Sequence, residues 1–378
     1  MKSYLLVSGD FVKTGGMDRA NFALADYLAR TGRQVNLFGH RAAPELLSYE
    51  NLQLHQVPKI ANSYFLSAPW FNWSGVQLAR KLSNTGCNVL VNGGNCQWGD
   101  INWVHYVHAS YKPDSKTGLL YKIKNNISRQ MSLEKELKAL ESARLIIANS
   151  ELTKRDLIKK LQIPAEKIAK IYYGIDPESF YPVKEQQKRE IRAQLGWPED
   201  KNILIFIGAL GDRRKGFDTL FAAWQKLNQT KDWKNHCQLM VIGTGAELVE
   251  WQTRTKDANI NNIEFLGRRT DVPVLLRAGD SLVAPSRYEA YGLGVREALC
   301  TGLPAIVSAN AGVAEHYDYQ LQDLLLLDPN NADELYIRLL NWQKNKSRYS
   351  ELISHLCDQL RSHSWDDMAR DIIDKIEA

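Results

Sequence analysis

The stretch Pro285-Ser286-Arg287-Tyr288-Glu289-Ala290-Tyr291-Gly292-Leu293-Gly294-Val295-Arg296-Glu297-Ala298-Leu299 sets two glutamates eight residues apart across a loop punctuated by glycine. Just before it, Ser281-Leu282-Val283-Ala284 is a short, bounded apolar run and reads as a buried strand. Gly292 and Gly294 permit a tight turn and a close approach of backbone to ligand. Val295, Leu299 and Leu303 then recur at helical spacing, which puts Glu297 in the first or second turn of a helix. A strand, a glycine loop and a helix N-terminus together offer free N–H groups and a favourable dipole to an anion such as phosphate.

Working outward, strand and helix patterns alternate along the whole chain. In the first half the strands are Tyr4 to Val7, Val35 to Phe38, Val89 to Val91, Trp103 to Val107 and Leu145 to Ala148, with a helix from Met17 to Arg30. After Pro182 and the charged run Lys184 to Arg192 a second series begins. Its strands are Ile203 to Ile207, Gln238 to Ile242, Ile263 to Leu266, Leu282 to Ala284 and Ala305 to Val307, with a helix from Asp218 to Leu227. This order predicts an α/β protein of two doubly wound, Rossmann-like parallel sheets. The expected domains are 1–182 and 183–360, with a terminal helix over 361–378 that contains Trp365. Ligands of such sheets bind at the carboxyl ends of the strands, and every motif below falls at one.

Composition narrows the class. The 378 residues are 44% hydrophobic and 24% charged, as in a globular protein of about two domains. Tyr4 to Val7 is too short for a signal-peptide core, and no run approaches the ~20 apolar residues that span a bilayer. Five scattered cysteines without a CxxC pair fit reduced thiols in the cytoplasm and no structural zinc. Residues 1–182 carry 23 Lys/Arg against 15 Asp/Glu, a net +8, whereas 183–378 carry 25 against 28, a net −3. The first half is therefore expected to meet something anionic. Nucleic acid is disfavoured, because no zinc-finger or RNP-like motif accompanies the charge.

Gly208-Ala209-Leu210-Gly211-Asp212-Arg213-Arg214-Lys215-Gly216 follows a strand and ends in three adjacent cations. Forked Arg donors and a Lys point charge suit a diphosphate. It is not a Walker A loop. Gly243-Thr244-Gly245 follows another strand but lacks the third glycine of a dinucleotide fingerprint, since position 248 is Leu. That loop is either a wall beside base or ribose, or a structural turn. Gly15-Gly16, between the first strand and first helix, lets amides approach a phosphate or an acceptor. His105 and His108 close the strand Trp103 to Val107, and His108 is the stronger candidate of the two. The chain has no DxD, so the Arg/Lys cluster is the expected substitute for a metal-held diphosphate, with no metal and no cofactor.

With these residues in hand the chain resembles a retaining glycosyltransferase of the GT-B architecture, in glycosyltransferase family 4. Glu289 and Glu297 around Tyr291-Gly292-Leu293-Gly294 resemble its E-x7-E signature, and Arg214-Lys215-Gly216 its diphosphate segment. Gly15-Gly16 resembles its N-terminal glycine loop and Val107-His108-Ala109-Ser110 its active-site histidine segment. Tyr173-Gly174-Ile175-Asp176 with Phe180 and Pro182 resembles the run that ends its first domain, with Tyr173 where Asn is usual. The resemblance implies two domains facing across a cleft, the first for acceptor and the second for nucleotide sugar, with the last helix crossing back. It implies that Glu297 holds the donor ribose and Glu289 the transferred sugar, with Gly15, Gly16, Gly243, Tyr291, Gly292, Leu293 and Gly294 lining the donor. Arg214 and Lys215 would neutralise the leaving diphosphate, and His108 would contact the sugar. Many members carry Arg where Ala209 stands, so Arg213 or Arg214 must supply the second cation. The implied reaction moves a hexose, glucose from UDP-glucose in the first instance, to a saccharide or lipid-linked saccharide in polysaccharide or lipopolysaccharide biosynthesis. The alternatives are a GDP-mannose-dependent mannosyltransferase and a catalytically silent nucleotide-sugar-binding protein. Glycoside hydrolysis by the glutamate pair fits poorly, since a hydrolase needs no cation cluster.

Residues 112–138 carry seven Lys/Arg against three Asp/Glu, interleaved with apolar residues such as Leu119, Tyr121 and Ile127. Such a segment either packs one face on its domain or lies on an anionic membrane. The expected location is cytoplasmic, with peripheral attachment if the acceptor is a lipid.

Overall fold

The structure is a computed structural model; it describes residues 2–112, 119–211 and 213–378, of which 119–128 and Phe65 by backbone alone. The described chain folds as two compact units: residues through Gly174 with His363–Ala378, and Ile175–Ser362. The first unit ends eight residues before Pro182, because Ile175 and Phe180 are buried in the core of the second.

The first unit is built on seven parallel strands: β1 (Ser3–Val7), β2 (Gln34–Gly39), β3 (Leu52–Gln56), β4 (Asn88–Asn92), β5 (Ile101–Val104), β6 (Leu145–Ala148) and β7 (Ile168–Lys170). Their order across the sheet is β3-β2-β1-β4-β5-β6-β7. The second unit has β8 (Asn202–Ile207), β9 (Cys237–Ile242), β10 (Ile263–Gly267), β11 (Ser281–Ala284), β12 (Ala305–Ser308) and β13 (Leu325–Leu326), in the order β10-β9-β8-β11-β12-β13. Both are doubly wound sheets that reverse direction beside their first strand, between β1 and β4 and between β8 and β11. Central strands of such sheets are covered on both faces, hence unbroken apolar runs. Leu5-Leu6-Val7, Val89-Leu90-Val91 and Ile203-Leu204-Ile205-Phe206 are all at most 1% exposed.

Two expectations are corrected here. The strand expected over Trp103 to Val107 is β5, which ends at Val104, so neither His105 nor His108 lies on it. Strands β3 and β7 were not foreseen, since an edge strand such as Leu52-Gln53-Leu54-His55-Gln56 is half polar and its pairing comes from its neighbour.

Six helices matter below: α1 (Gly16–Arg30), α2 (Tyr64–Ser83), α3 (Leu119–Ser142), α4 (Phe217–Leu227), α5 (Leu293–Cys300) and α6 (Trp365–Glu377). Helix α4 buries Phe217, Leu220, Phe221, Trp224 and Leu227 on one face. Helix α6 belongs to the first unit, where it packs on α1. Ser364 and Asp367 form its capping box, which satisfies the first orphan N–H groups. Met368, Ala369, Ile372, Ile373 and Ile376 are its buried stripe, and Glu377 at its end accepts from Tyr4 of β1 at 2.5 Å. Gly174 lies against its start: a Cβ there would stand 2.3 Å from Trp365 Cα. Among the described residues no helix is long and apolar enough to cross a membrane. Of the basic segment, residues 113–118 and the side chains of 119–128 lie outside the described residues.

Candidate functional site

In the second unit two loops flank the point where the sheet reverses. One leaves β8 and enters α4; the other leaves β11 and enters α5. The first carries Arg213, Arg214 and Lys215 in a single 3-10 turn, ended by Gly216 in the left-handed region (φ 72°). Only glycine fits there, because a Cβ would meet the Pro285 carbonyl oxygen at 1.9 Å. The Arg287 N–H donates to the Arg214 carbonyl at 2.7 Å, which locks the two loops together.

Across that joint Lys215 Nζ donates to Glu289 Oε2 at 2.5 Å, and Arg214 Nη1 lies 3.5 Å from the same oxygen. Desolvation acts to raise the Glu289 pKa, but Lys215 and Arg214 outweigh it and hold the carboxyl below its ordinary value. Arg214 also donates to the Tyr288 carbonyl at 3.1 Å. Arg213 is committed elsewhere: its Nη2 donates to Asp218 Oδ2 at 2.8 Å, and Arg287 grips both oxygens of the same carboxylate at 2.7 and 2.9 Å. The second cation beside Glu289 is therefore Arg214. Asp218 is a residue that sequence reading missed; an acid in the first turn of α4 looked like an ordinary helix start.

Backbone pairing fixes Glu289 further. The Gly312 N–H donates to its carbonyl at 2.9 Å, and the Val313 N–H to the Tyr291 carbonyl at 2.6 Å. Gly292 caps α5 with φ 104°, and a Cβ on it would meet Val313 Cγ1 at 2.9 Å. Gly294 differs, since a Cβ there has nothing within 4 Å. Leu293 opens the helix, and Glu297 follows in its second turn, 6% exposed. Tyr291 is 2% exposed and accepts from Arg296 Nη1 at 2.9 Å, so its ring is packing and only its backbone fronts the loop.

Gly243 has a packing reason of its own. A Cβ at Gly243 would stand 1.9 Å from the Gly208 carbonyl oxygen, and one at Gly245 would stand 1.6 Å from that of Leu210. The Leu210 N–H donates to the Thr244 carbonyl at 3.0 Å, so this loop braces the one after β8.

In the first unit Gly15 (φ 82°) caps α1, and Gly16 is the first residue of that helix. Asp18 lies in the same turn; desolvation, with the Asp10 charge second, pushes its pKa up to about 6. His108 sits in a short 3-10 turn after β5. Its Nδ1 lies 3.0 Å from Glu136 Oε1 on α3, and its backbone N–H donates to Glu136 Oε2 at 3.1 Å. The Glu136 side chain is fully buried while that of His108 is 44% exposed. A buried carboxylate thus holds an accessible imidazole by one nitrogen. Nothing in the sequence tied Glu136 to His108, since they are 28 residues apart and joined only by tertiary folding. His105 is structural: desolvation lowers its pKa to about 3, and it is held by Asn92 at 2.6 Å and the Tyr173 hydroxyl at 2.5 Å. Asn149 also donates to that hydroxyl at 3.0 Å, which explains a tyrosine at position 173.

Known proteins agree with this architecture. A model of the glycosyl transferases group 1 matches residues 187–355, and one of glycosyltransferase family 4 matches residues 14–179. The lipopolysaccharide glucosyltransferase WaaG of Escherichia coli K12 is 23% identical over 369 residues, covering 95% of each chain. An uncharacterized glycosyltransferase of Methanocaldococcus jannaschii is 22% identical over 377 residues, covering 95% of this chain and 93% of its own. Among solved structures, WaaG superposes with a TM-score of 0.79 at 22% identity, covering 98% of this chain and 99% of that one. Anabaena HepE, solved with UDP and glucose, gives 0.74 at 15% identity over 100% of both chains. Two adjoining family models, one on each parallel-sheet unit, and full-length likeness to GT-B structures lead to one conclusion: the chain belongs to the family 4 glycosyltransferases of GT-B fold.

Proposed function

We propose that this glycosyltransferase moves a hexose, glucose from UDP-glucose, onto a saccharide or lipid-linked saccharide, with retention at the anomeric carbon and without a metal. The observation that carries the reading is the Lys215–Glu289–Arg214 cluster at the reversal point of the second sheet, beside the N-terminus of α5. In sugar transfer, negative charge grows on the departing diphosphate while the sugar becomes oxocarbenium-like. Lys215, Arg214 and the free N–H groups of α5 are preorganised donors for that charge, the kind of stabilisation that dominates such reactions. Glu289, held as a carboxylate, has no proton to give; its role is to accept from hydroxyls of the transferred sugar. Glu297 accepts from the ribose, and the His108 ring contacts the sugar. Gly15 and Gly16 serve saccharide hydroxyls better than phosphate, because the Asp18 carboxyl shares their turn. The acceptor hydroxyl attacks from the face the diphosphate leaves, its proton passing to a phosphate oxygen. Glucose and UDP are preferred because WaaG is a glucosyltransferase and HepE was solved with UDP and glucose.

A thermal-shift panel of UDP, GDP, ADP and their sugars tests this. UDP and UDP-glucose should give the largest shifts, Glu297→Ala should abolish them, and Glu289→Ala should keep them while losing turnover. A larger shift with GDP-mannose would move the reading to mannosyl transfer; no shift with any nucleotide would overturn it. Retention is checked by NMR of the first-formed product, and an inverted anomer would refute it.

A further inference from the structure

Helix α2 wears its amphipathicity in an unusual way. Ser67, Phe71, Gly75 and Ala79 face inward at a spacing of four, while Leu66, Trp70, Trp73, Gln77 and Arg80 form the opposite, exposed stripe. Leu66 is 53% exposed, Trp70 49% and Trp73 54%. The two indoles stack on each other with centroids 5.0 Å apart. Tyr64, the first residue of the helix, and Ile60 before it extend the patch at 53% and 47% exposure. Scattered surface apolars are ordinary, but five large ones in one contiguous run mark an interaction site.

Charge tells what the patch meets. From residue 51 to residue 99 the chain has no aspartate or glutamate, although it carries 43 of them in 378 residues. The charged residues of that stretch are Lys59, Arg80 and Lys81. Lys59 Nζ sits 3.6 Å from the Tyr64 ring centroid, and Arg80 and Lys81 are exposed on the last turns of α2, below the tryptophans. Of the acids beside the patch, Asp10 is 1% exposed and spent on the Tyr64 hydroxyl at 2.7 Å and Arg41 at 2.9 Å, and Asp18, on α1, is half-buried. Exposed indoles beside lysine and arginine, with no acid among them, suit the headgroup layer of an anionic bilayer.

We propose that α2 is a membrane seat: Leu66, Trp70 and Trp73 enter the interface of an anionic lipid surface, and Lys59, Arg80 and Lys81 hold its headgroups. The seat adjoins a cavity of about 320 Å³, which Tyr64 and Leu66 line together with His40, Asn72, His108 and Lys135. An amphiphile whose tail stays in the bilayer thus has a pocket next to it, apolar over much of its wall and bearing His40, Asn72, His108 and Lys135. The proposal does not depend on the identity of the donor.

Flotation of the full chain with phosphatidylcholine vesicles, with and without phosphatidylglycerol, tests it. The protein should float with the anionic vesicles and weakly or not with the neutral ones, and added salt should weaken the binding. Trp70→Ser with Trp73→Ser should lower partitioning about ten-fold or more. The half-exposed positions leave the melting temperature and the nucleotide-sugar thermal shift unchanged, which separates failure of the seat from failure of the donor reading. Arg80→Gln with Lys81→Gln should flatten the salt dependence. Absence of flotation, or flotation of the tryptophan variant equal to the parent, would overturn the proposal. So would conversion of a dimer to a monomer by the tryptophan variant, which would give the face to a second copy of the chain.

Discussion

Lys215 and Glu289 share a short ion pair that each of their neighbours helps to hold. Arg214 reinforces the charge, Gly216 brings the loop close enough, and the Gly312 and Val313 amides pin the second loop. Because Glu289 is held below its ordinary pKa, it stays ionised throughout the neutral range. The rate should therefore show no acid limb from Glu289 between about pH 5 and 8, unlike a glycosidase acid; a kcat profile over that range checks it. Lys215→Ala should lower kcat about 100-fold or more, as removal of a preorganised charge donor does, measured as sugar transfer from the donor. Glu136→Gln is the second test at this scale. The amide keeps an acceptor for one His108 nitrogen–hydrogen bond but loses the charge that orders the ring. A drop in kcat of about ten-fold or more is expected, with the nucleotide-induced thermal shift unchanged. Both effects come from pairs that the chain brings together only by folding.

At the scale of elements, the two glycines that open α5 look alike in sequence and differ in space. Gly292 is left-handed and pressed against Val313, whereas Gly294 faces open volume at an ordinary φ. Gly292→Ala should destabilise the fold by about 1 kcal/mol or more. Gly294→Ala should leave stability equal or raise it by about 0.5–1 kcal/mol, as Gly→Ala in a helix does. If the open volume takes the donor, the Gly294 variant will still lose nucleotide affinity; unfolding curves and thermal shifts read the two effects separately. The Tyr173-Gly174 segment gives a parallel case. Gly174→Ala forces a Cβ against Trp365 at the start of α6, and overpacking of this kind costs about 1–3 kcal/mol. Its melting temperature should fall, whereas Gly86→Ala, a left-handed glycine with nothing within 4 Å, should cost less.

For the molecule as a whole, pH is a lever on the first unit. His105 is neutral, hydrogen-bonded at both ring nitrogens, with its pKa lowered to about 3 by desolvation. The unfolded chain binds that proton near pH 6.5 while the folded chain refuses it, so stability is present above the unfolded pKa and is lost as pH falls toward the folded one. Asp18, pushed up to about 6, works in the other direction, since the folded state takes its proton first. Thermal unfolding between about pH 7 and 4 should show the first unit losing stability, and His105→Gln should flatten that slope.

The sequence by itself determined the alternation of strand and helix, the repeated doubly wound pattern and the loops that carry Arg214, Lys215, Glu289 and Glu297. Those features are local: an apolar run buried on both faces, a glycine before a helix and cations after a strand are each written in a few neighbouring residues. Only the tertiary structure decided which Arg faces Glu289, that Glu136 holds His108, that His105 is tied to Asn92 and Tyr173 and that α2 leaves two tryptophans half-exposed. Each of these depends on groups dozens of residues apart meeting in space, or on which face of a helix finds no partner. Periodicity shows that a face is apolar; packing alone shows whether anything covers it.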